Sequence, residues 1–167
     1  PLWDYPVRKG TVLYLALEDD YARLQRRLSG MFGIECADNL YFATQAKTLN
    51  EGLDRQLEGF LKERKDARLI IIDTLQKVRE VGGDRYSYSS DYDHTRKLES
   101  EDSFDMISGT NGLLGAADGA FIMHKKKRTD NEAVMDIVGR DQPDQELTIE
   151  FDRERCVWKF KKAETEL

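Results

Sequence analysis

Two apolar runs, each closed by an acidic residue, constrain the fold of this chain more than any other feature. VLYLAL, at residues 12–17, is followed by Glu18, and LIII, at residues 69–72, is followed by Asp73. Runs this continuous are typical of strands that are buried on both faces, as in a parallel sheet. Because an unpaired carboxylate is costly to bury, we expect each acidic residue to lie in a polar crevice where its strand ends.

Amphipathic patterns between these runs predict two helices. The first begins at an Asp and stops at Gly33, and its apolar face comprises Leu24, Leu28 and Met31. Asn50 is the expected cap of the second, whose apolar stripe comprises Leu53, Leu57, Phe60 and Leu61. A short strand is expected at residues 39–44. This alternation builds a doubly wound parallel sheet, with residues 69–73 as its third buried strand.

The pattern changes after Gly83. GGDRYSYSSDYD has no apolar periodicity and is typical of a mobile loop. From Ala120 onward the segments AFIMHK, EAVMDIV, ELTIEFD and CVWKF alternate or run apolar, and they are separated by KKRTDN, GRDQPDQ and RER. The sequence therefore predicts one α/β domain over residues 1–167, with a parallel half and an antiparallel meander on one edge.

Composition narrows the classes of protein. No apolar run approaches the ~18 residues of a membrane span. The N-terminal PLWDYPVRKG lacks the pattern of a signal peptide, and Cys36 and Cys156 lack metal-ligand spacing. We therefore expect a cytoplasmic protein with free thiols. The net charge of −6 excludes a surface that binds nucleic acid everywhere, so any such contact is local.

Five segments of the chain occur in an order that is specific as a set. They are LYLALEDD, IIIDT, DHTRK at residues 93–97, MISGTNGLLGAADGAFIM and DIVGRDQPDQELTIEFD. IIIDT has the form of a Walker B segment, an apolar strand followed by an Asp and a small hydroxyl residue. Over nearly its whole length the chain resembles RecA-like P-loop NTPases, and among them the RepA-like branch, the hexameric replicative helicases of plasmids and related mobile-element ATPases.

The resemblance implies a role for each matching residue. Asp73, followed by Thr74, would hold Mg²⁺ through its water shell, and Glu18 would be the general base for the attacking water. His94 would sense the γ-phosphate, and Arg140 would be offered to a nucleotide held between subunits. The implied activity is Mg²⁺-dependent ATP hydrolysis by a homo-hexamer, coupled to movement along single-stranded DNA.

Two parts of the family pattern are missing. No GxxxxGKS/T run, whose backbone N–H groups and lysine hold phosphates, occurs in the 167 residues, so we expect the chain to begin downstream of it and to be inactive alone. Between Asp73 and His94 the family has a buried strand, whereas here SDYD leads directly into HTRK. Another chain, a rearranged sheet or residues omitted from the sequence would explain this gap, and we favour omitted residues.

Alternative interpretations stay open. Glu18 and Asp73 are each explained by the preference of a following helix for negative charge at its N-terminus. His94 also fits a surface loop, Arg140 a hairpin turn, and KKKR at residues 125–128 a solvated turn rather than a nucleic-acid contact. The whole chain also fits a degenerate, non-catalytic RecA-like module for assembly or regulation, or a metal hydrolase that uses the two carboxylates and His94 as ligands.

Overall fold

The computed structural model describes residues 6–33, 37–79 and 117–164. The chain divides into two compact units, Pro1–Gly83 and Asp84–Leu167. The first contains β1 (Thr11–Ala16), α1 (Tyr21–Phe32), β2 (Leu40–Ala43), α2 (Leu53–Glu63), β3 (Ala67–Asp73) and a short 3₁₀ helix (Leu75–Lys77). The second contains β4 (Gly119–His124), β5 (Glu132–Gly139), β6 (Gln142–Asp152) and β7 (Val157–Glu164). The predicted α/β class is confirmed, whereas a single domain over residues 1–167 stays a prediction.

β1 is the central strand of the first sheet. The strand order is β2-β1-β3, and both pairings are parallel. β1 can take this place because its alternate side chains meet apolar neighbours on both sides. Leu13 and Leu15 on one face are buried, and Tyr14 on the other contacts the Phe42 ring at 5.6 Å between centroids. The predicted parallel sheet is therefore present, and its strands end together at one edge.

The helices follow the predicted order, with one different start. α1 begins after Asp20, whose carboxylate accepts the Arg23 N–H at 2.8 Å, and it ends at Gly33 with a φ of 74°. For α2 the cap expected at Asn50 is wrong, because the helix begins after Gly52. Gly52 has a φ of 96°, a left-handed conformation that glycine adopts at little cost, so the chain is turned into the helix two residues later.

The core of the first unit lies between α2 and one face of the sheet. Its buried members are Leu13, Leu15, Leu53 and Val78, and Ile70 and Ile72 of β3 pack against them. The expectation that β3 is buried on both faces is wrong, since Leu69 is 51% exposed and Ile71 is 37% exposed. Among the described strands β3 lies at the edge of the sheet, and α2 covers only the face to which Ile70 and Ile72 point.

The second unit is an antiparallel meander in the order β4-β5-β6-β7, as predicted from the alternating segments. The seven-residue turn expected at GRDQPDQ is wrong. Gly139 pairs with Gln142, so Arg140 and Asp141 alone form the turn and the remaining residues extend β6. One face of this sheet carries its buried apolar side chains: Ala133, Ile137, Leu147 and Ile149.

Several predictions concern residues outside the described ranges. His94, the GGDRYSYSSDYD segment and Cys36 all lie there, so the missing-strand hypothesis stays a prediction. Cys156 is a free thiol. In the described part of the chain, no helix combines the length and the apolar character that a membrane crossing requires.

Two leucines of α2 test the core. Leu53 is 1% exposed and Leu61 is 41% exposed. We expect Leu53→Ala to lower the free energy of unfolding by about 2–5 kcal/mol, because it removes buried methyl groups and leaves a cavity. Leu61→Ala, the control on the same helix, should change it by less than about 1 kcal/mol. Urea unfolding followed by circular dichroism measures both, and equal losses would show that α2 does not dock through Leu53.

Candidate functional site

Glu18, Asp73 and Thr74 lie at the same edge of the parallel sheet. Ala16 of β1 is opposite Asp73 of β3, and the Leu17 N–H donates to the Asp73 backbone oxygen at 2.7 Å. This last bond carries the pairing one residue beyond β1, so Glu18 emerges beside the end of β3. Thr74 Oγ1 lies 3.4 Å from Glu18 Oε1. The structure therefore brings together three of the five predicted site residues.

Tyr14 holds the Asp73 side chain. Its hydroxyl donates to Asp73 Oδ2 at 2.6 Å, a short contact that is typical of an O–H donor and a charged oxygen. Donation to Asp73, partial burial and the negative charge of Asp73 together raise the pKa of Tyr14 to about 12. Among the described residues Asp73 Oδ1 has no hydrogen-bond partner. One carboxylate oxygen is thus anchored, and the other is left for a ligand.

Glu18, Asp19 and Asp20, the three consecutive acidic residues that follow β1, differ in their contacts. Glu18 is exposed beside Thr74. Asp19 is only 10% exposed and is paired with Arg23 Nε at 3.1 Å and Arg27 Nη1 at 2.7 Å. Asp20 caps α1, and the Arg23 N–H that it accepts holds the pKa of its carboxyl below the usual value. Two of the three charges are thereby engaged in the fold, and Glu18 is left for the site.

The donor set at this edge suits a hard cation. Mg²⁺ takes oxygen ligands, keeps several waters, and is usually held by one or two carboxylates together with substrate phosphates. Glu18 and Asp73 supply carboxylates and Thr74 supplies a hydroxyl. In the described ranges no three His, Cys, Asp or Glu side chains form a metal site by themselves. The residues therefore fit a magnesium ion shared with a phosphate ligand better than a metal held by protein alone.

The other two predicted site residues, Arg140 and His94, lie beyond the first unit in the sequence. Arg140 is in the β5–β6 turn of the second unit, where its backbone N–H donates to the Asp118 oxygen at 3.0 Å and Nη1 lies 3.4 Å from Asp118 Oδ1. His94 is outside the described residues. The roles of both stay predictions.

Sequence reasoning missed Tyr14 and the Asp19 pairs. A signal for Tyr14 exists, because it is a hydroxyl-bearing residue within an otherwise apolar strand, two positions before the strand ends. Alternation along a strand then places it on the same face as Ala16, whose partner across β3 is Asp73. The arginine pairs have a weaker signal: Asp19 directly precedes the cap of α1, and Arg23 follows it by four residues in the first turn of that helix.

Comparison with known proteins adds a family. Residues 1–97, more than half of the chain, match the family model described as an AAA domain. This range contains the whole parallel sheet, both helices and the Glu18–Asp73 edge. No curated protein matches the chain.

The raised pKa of Tyr14 predicts a pH dependence. Because the pKa is raised from 10.0 to about 12, the stabilisation from the Tyr14–Asp73 hydrogen bond is complete below pH 10 and is lost as pH rises through about 12. The difference in tyrosinate absorbance between wild type and Tyr14→Phe should show a step near pH 12. Tyr21→Phe, which removes an exposed tyrosine, should leave that step in place. A difference curve already complete near pH 10 would contradict the hydrogen bond.

Proposed function

The chain belongs to the AAA domain family of ATPases, and from that premise we propose that it is the ATPase core of a RepA-like replication protein of a plasmid, phage or related mobile element. Its activity would be Mg²⁺-dependent hydrolysis of ATP. The proposed assembly is a homo-hexamer, and the proposed partner is single-stranded DNA. Family membership supports the ATPase module, and the five ordered sequence segments support the RepA-like branch.

The observation that carries the proposal is the position of Glu18 beside Asp73 and Thr74. Ligands of open α/β sheets bind outside the carboxyl ends of the strands, which is where these three residues lie. An anchored carboxylate, an exposed carboxylate and a hydroxyl at one edge match two of the parts that phosphoryl transfer to water requires, the metal-holding group and the group that orients water. The alternative, that these acidic residues only favour a following helix, explains Asp20, but it explains neither the exposed Glu18 nor the Tyr14 hydroxyl that holds Asp73.

Each residue has a distinct proposed role. Asp73, with Oδ2 held by Tyr14, would orient the water shell of Mg²⁺, and Thr74 would lie next to it. When bound, Mg²⁺ neutralises charge on the phosphates. Glu18 would accept a proton from the attacking water, a general-base role that requires its carboxylate to stay exposed and unpaired by arginine. Arg23 and Arg27 of α1 both pair with Asp19, and no ion pair among the described residues involves Glu18.

Carboxamide substitutions separate these roles. In the complete natural polypeptide, Glu18→Gln should lower the rate of ATP hydrolysis about 10²–10⁴-fold while Mg²⁺–ATP still binds, because only the base is lost. Asp73→Asn should raise the Mg²⁺ concentration that nucleotide binding requires by about 10–100-fold. Released phosphate and a fluorescent ATP analogue, titrated with Mg²⁺, measure the two effects. Glu58→Gln, on the exposed face of α2, is the control and should behave as wild type.

The outcomes divide the proposal from its alternatives. If Glu18→Gln hydrolysed ATP at the wild-type rate, Glu18 would not be the general base. Failure of the complete polypeptide to bind ATP with Mg²⁺ would favour the non-catalytic module. DNA cleavage that needs a divalent metal but no nucleotide would favour the metal hydrolase.

Arg140 is proposed to act on a nucleotide held by the neighbouring subunit. Arg140→Ala should then lower hydrolysis by about 10³-fold or more. A mixture of Arg140→Ala and Glu18→Gln protomers should recover part of the activity, because some interfaces of a mixed ring combine the intact Glu18 of one protomer with the intact Arg140 of the next. Phosphate release measured against the mixing ratio checks this. If both residues act within one subunit, no site in the mixture is complete, and the absence of recovery would contradict the shared site.

A further inference from the structure

One end of the antiparallel sheet carries two basic turns. The β4–β5 turn contains KKKRTD at residues 125–130, and the β6–β7 turn contains RERC at residues 153–156. Both lie at the same end, because β4 and β6 run towards it and β5 and β7 run away from it. We name the cations of these turns the basic end: Lys125, Lys126, Lys127, Arg128, Arg153 and Arg155.

Asn131 joins the two turns into one surface. Its backbone oxygen accepts the Phe151 N–H at 2.8 Å, and its side-chain oxygen accepts Arg153 Nε at 3.0 Å. Arg153 is therefore oriented by a neutral amide and keeps its full charge. The basic end is thus held together by contacts that cross from one turn to the other.

Two of the three carboxylates at the basic end, Asp130 and Asp152, are already engaged. Asp130 Oδ2 accepts the Lys127 backbone N–H at 3.0 Å. Asp152 Oδ1 accepts the Arg155 backbone N–H at 3.1 Å, and its other oxygen pairs with Lys159 at 2.7 Å. These bonds shape the turns, and they direct the negative charge to backbone donors and to Lys159 rather than to the side chains of the basic end.

The cations of the basic end differ from the lysines of β7. Lys159, Lys161 and Lys162 each pair with a carboxylate. Within the described residues none of the basic-end cations forms such an ion pair. Lys125 instead donates to the Asp130 backbone oxygen at 3.0 Å and lies 5.3 Å from the centre of the Trp158 ring. Neutral partners position this ammonium group without cancelling its charge.

The charge of this surface is opposite to that of the whole chain. Residues 125–130 carry four cations and one carboxylate, a net +3, and residues 152–155 carry two of each, so the surface has a net +3 in a chain of −6. We propose that the basic end binds the phosphate backbone of single-stranded nucleic acid. The choice of single-stranded nucleic acid as the partner rests on the function proposed above. The new step is to place that partner on the antiparallel sheet. Binding at this surface requires no nucleotide hydrolysis.

Aromatic rings beside the cations favour a single strand over a duplex. Trp158 and Phe151 are half-buried, with ring centres 5.0 Å apart, and Trp158 lies beneath the Lys125 ammonium. Proteins that bind single strands combine a basic track with rings on which unpaired bases stack, whereas the bases of a duplex are already stacked and paired.

Removal of three side chains tests the surface without altering the turns. Lys126, Lys127 and Arg128 make no side-chain hydrogen bond or ion pair to described residues, so Lys126→Gln, Lys127→Gln and Arg128→Gln together should leave the fold intact. For the full chain without nucleotide, we expect this triple variant to bind labelled oligothymidylate about 100-fold more weakly near 0.1 M salt. Its log–log salt slope should be shallower by about 2, from ~0.7 for each lost phosphate contact. Fluorescence anisotropy measures both quantities.

A second triple variant controls for net charge. Arg55→Gln, Lys62→Gln and Lys65→Gln remove three exposed cations from the first unit and should leave affinity within about twofold of wild type. Equal losses in both triples, or no loss in the first, would overturn the proposal. Unchanged oligothymidylate binding by Glu18→Gln is expected, and it separates this surface from the hydrolytic site.

Two further measurements test which class of partner binds and whether its bases contact Trp158. The affinity for oligothymidylate should exceed that for a duplex of equal length. The triple variant should also be tested with vesicles of phosphatidylglycerol. If it lost binding to the vesicles but kept binding to oligothymidylate, the proposal would be overturned in favour of a membrane surface. In a Trp3→Phe background Trp158 is the only tryptophan, since the chain has two, and oligothymidylate should quench its fluorescence. Absence of quenching at saturation would overturn the contact between bases and Trp158.

Discussion

The parallel register of β1 and β3 is the constraint on which the first unit depends. With Ala16 opposite Asp73, Leu13 and Leu15 face the same core as Ile70 and Ile72. A shift by one residue would turn every β3 side chain to the opposite face. Leu69 and Ile71 would then take the places of Ile70 and Ile72 in the core. Asp73 would turn away from the Tyr14 hydroxyl and towards the core face, where an unpaired carboxylate is costly to bury. Because β3 is apolar on both faces, the carboxylate at its end, rather than apolar packing alone, specifies the register of the two strands.

Tyr14 shows how this strand serves two purposes. Its ring packs on Phe42 within the sheet, and its hydroxyl reaches Asp73 at the edge. A phenylalanine would supply the ring contact alone, and an aspartate without this donor would rotate freely at the end of an exposed strand. The hydroxyl thus orders the carboxylate, which would remove part of the entropic cost of binding the proposed Mg²⁺.

Local patterns predicted the elements well, and tertiary placement less well. The two apolar runs, the Asp20 and Gly33 ends of α1 and the four antiparallel strands follow from period and capping chemistry. The exposure of Leu69 and Ile71 could not be predicted in this way, because an apolar run has the same pattern whether one face or both are covered. The start of α2 was missed because Asn50 is a good cap in isolation, whereas the left-handed turn at Gly52 decides where helical geometry begins. Glu18 and Asp73 were each expected where a parallel strand ends, and the structure brings them to one edge because parallel strands end together. Arg140 belongs to the other unit, for which no such rule applies.

In both units some charged side chains are paired within the fold and others are not. Asp19 is neutralised by two arginines and the β7 lysines by carboxylates, whereas no described ion pair neutralises Glu18 or the cations of the basic end. A net charge of −6 repels a polyanion at long range, but the Debye length is only about 8 Å at physiological ionic strength, so most of that repulsion is screened at the surface. Contacts at hydrogen-bond distance are screened much less. If the basic end binds a nucleic acid as proposed, its local charge of +3 would therefore act at short range despite the larger negative charge that is spread over the chain.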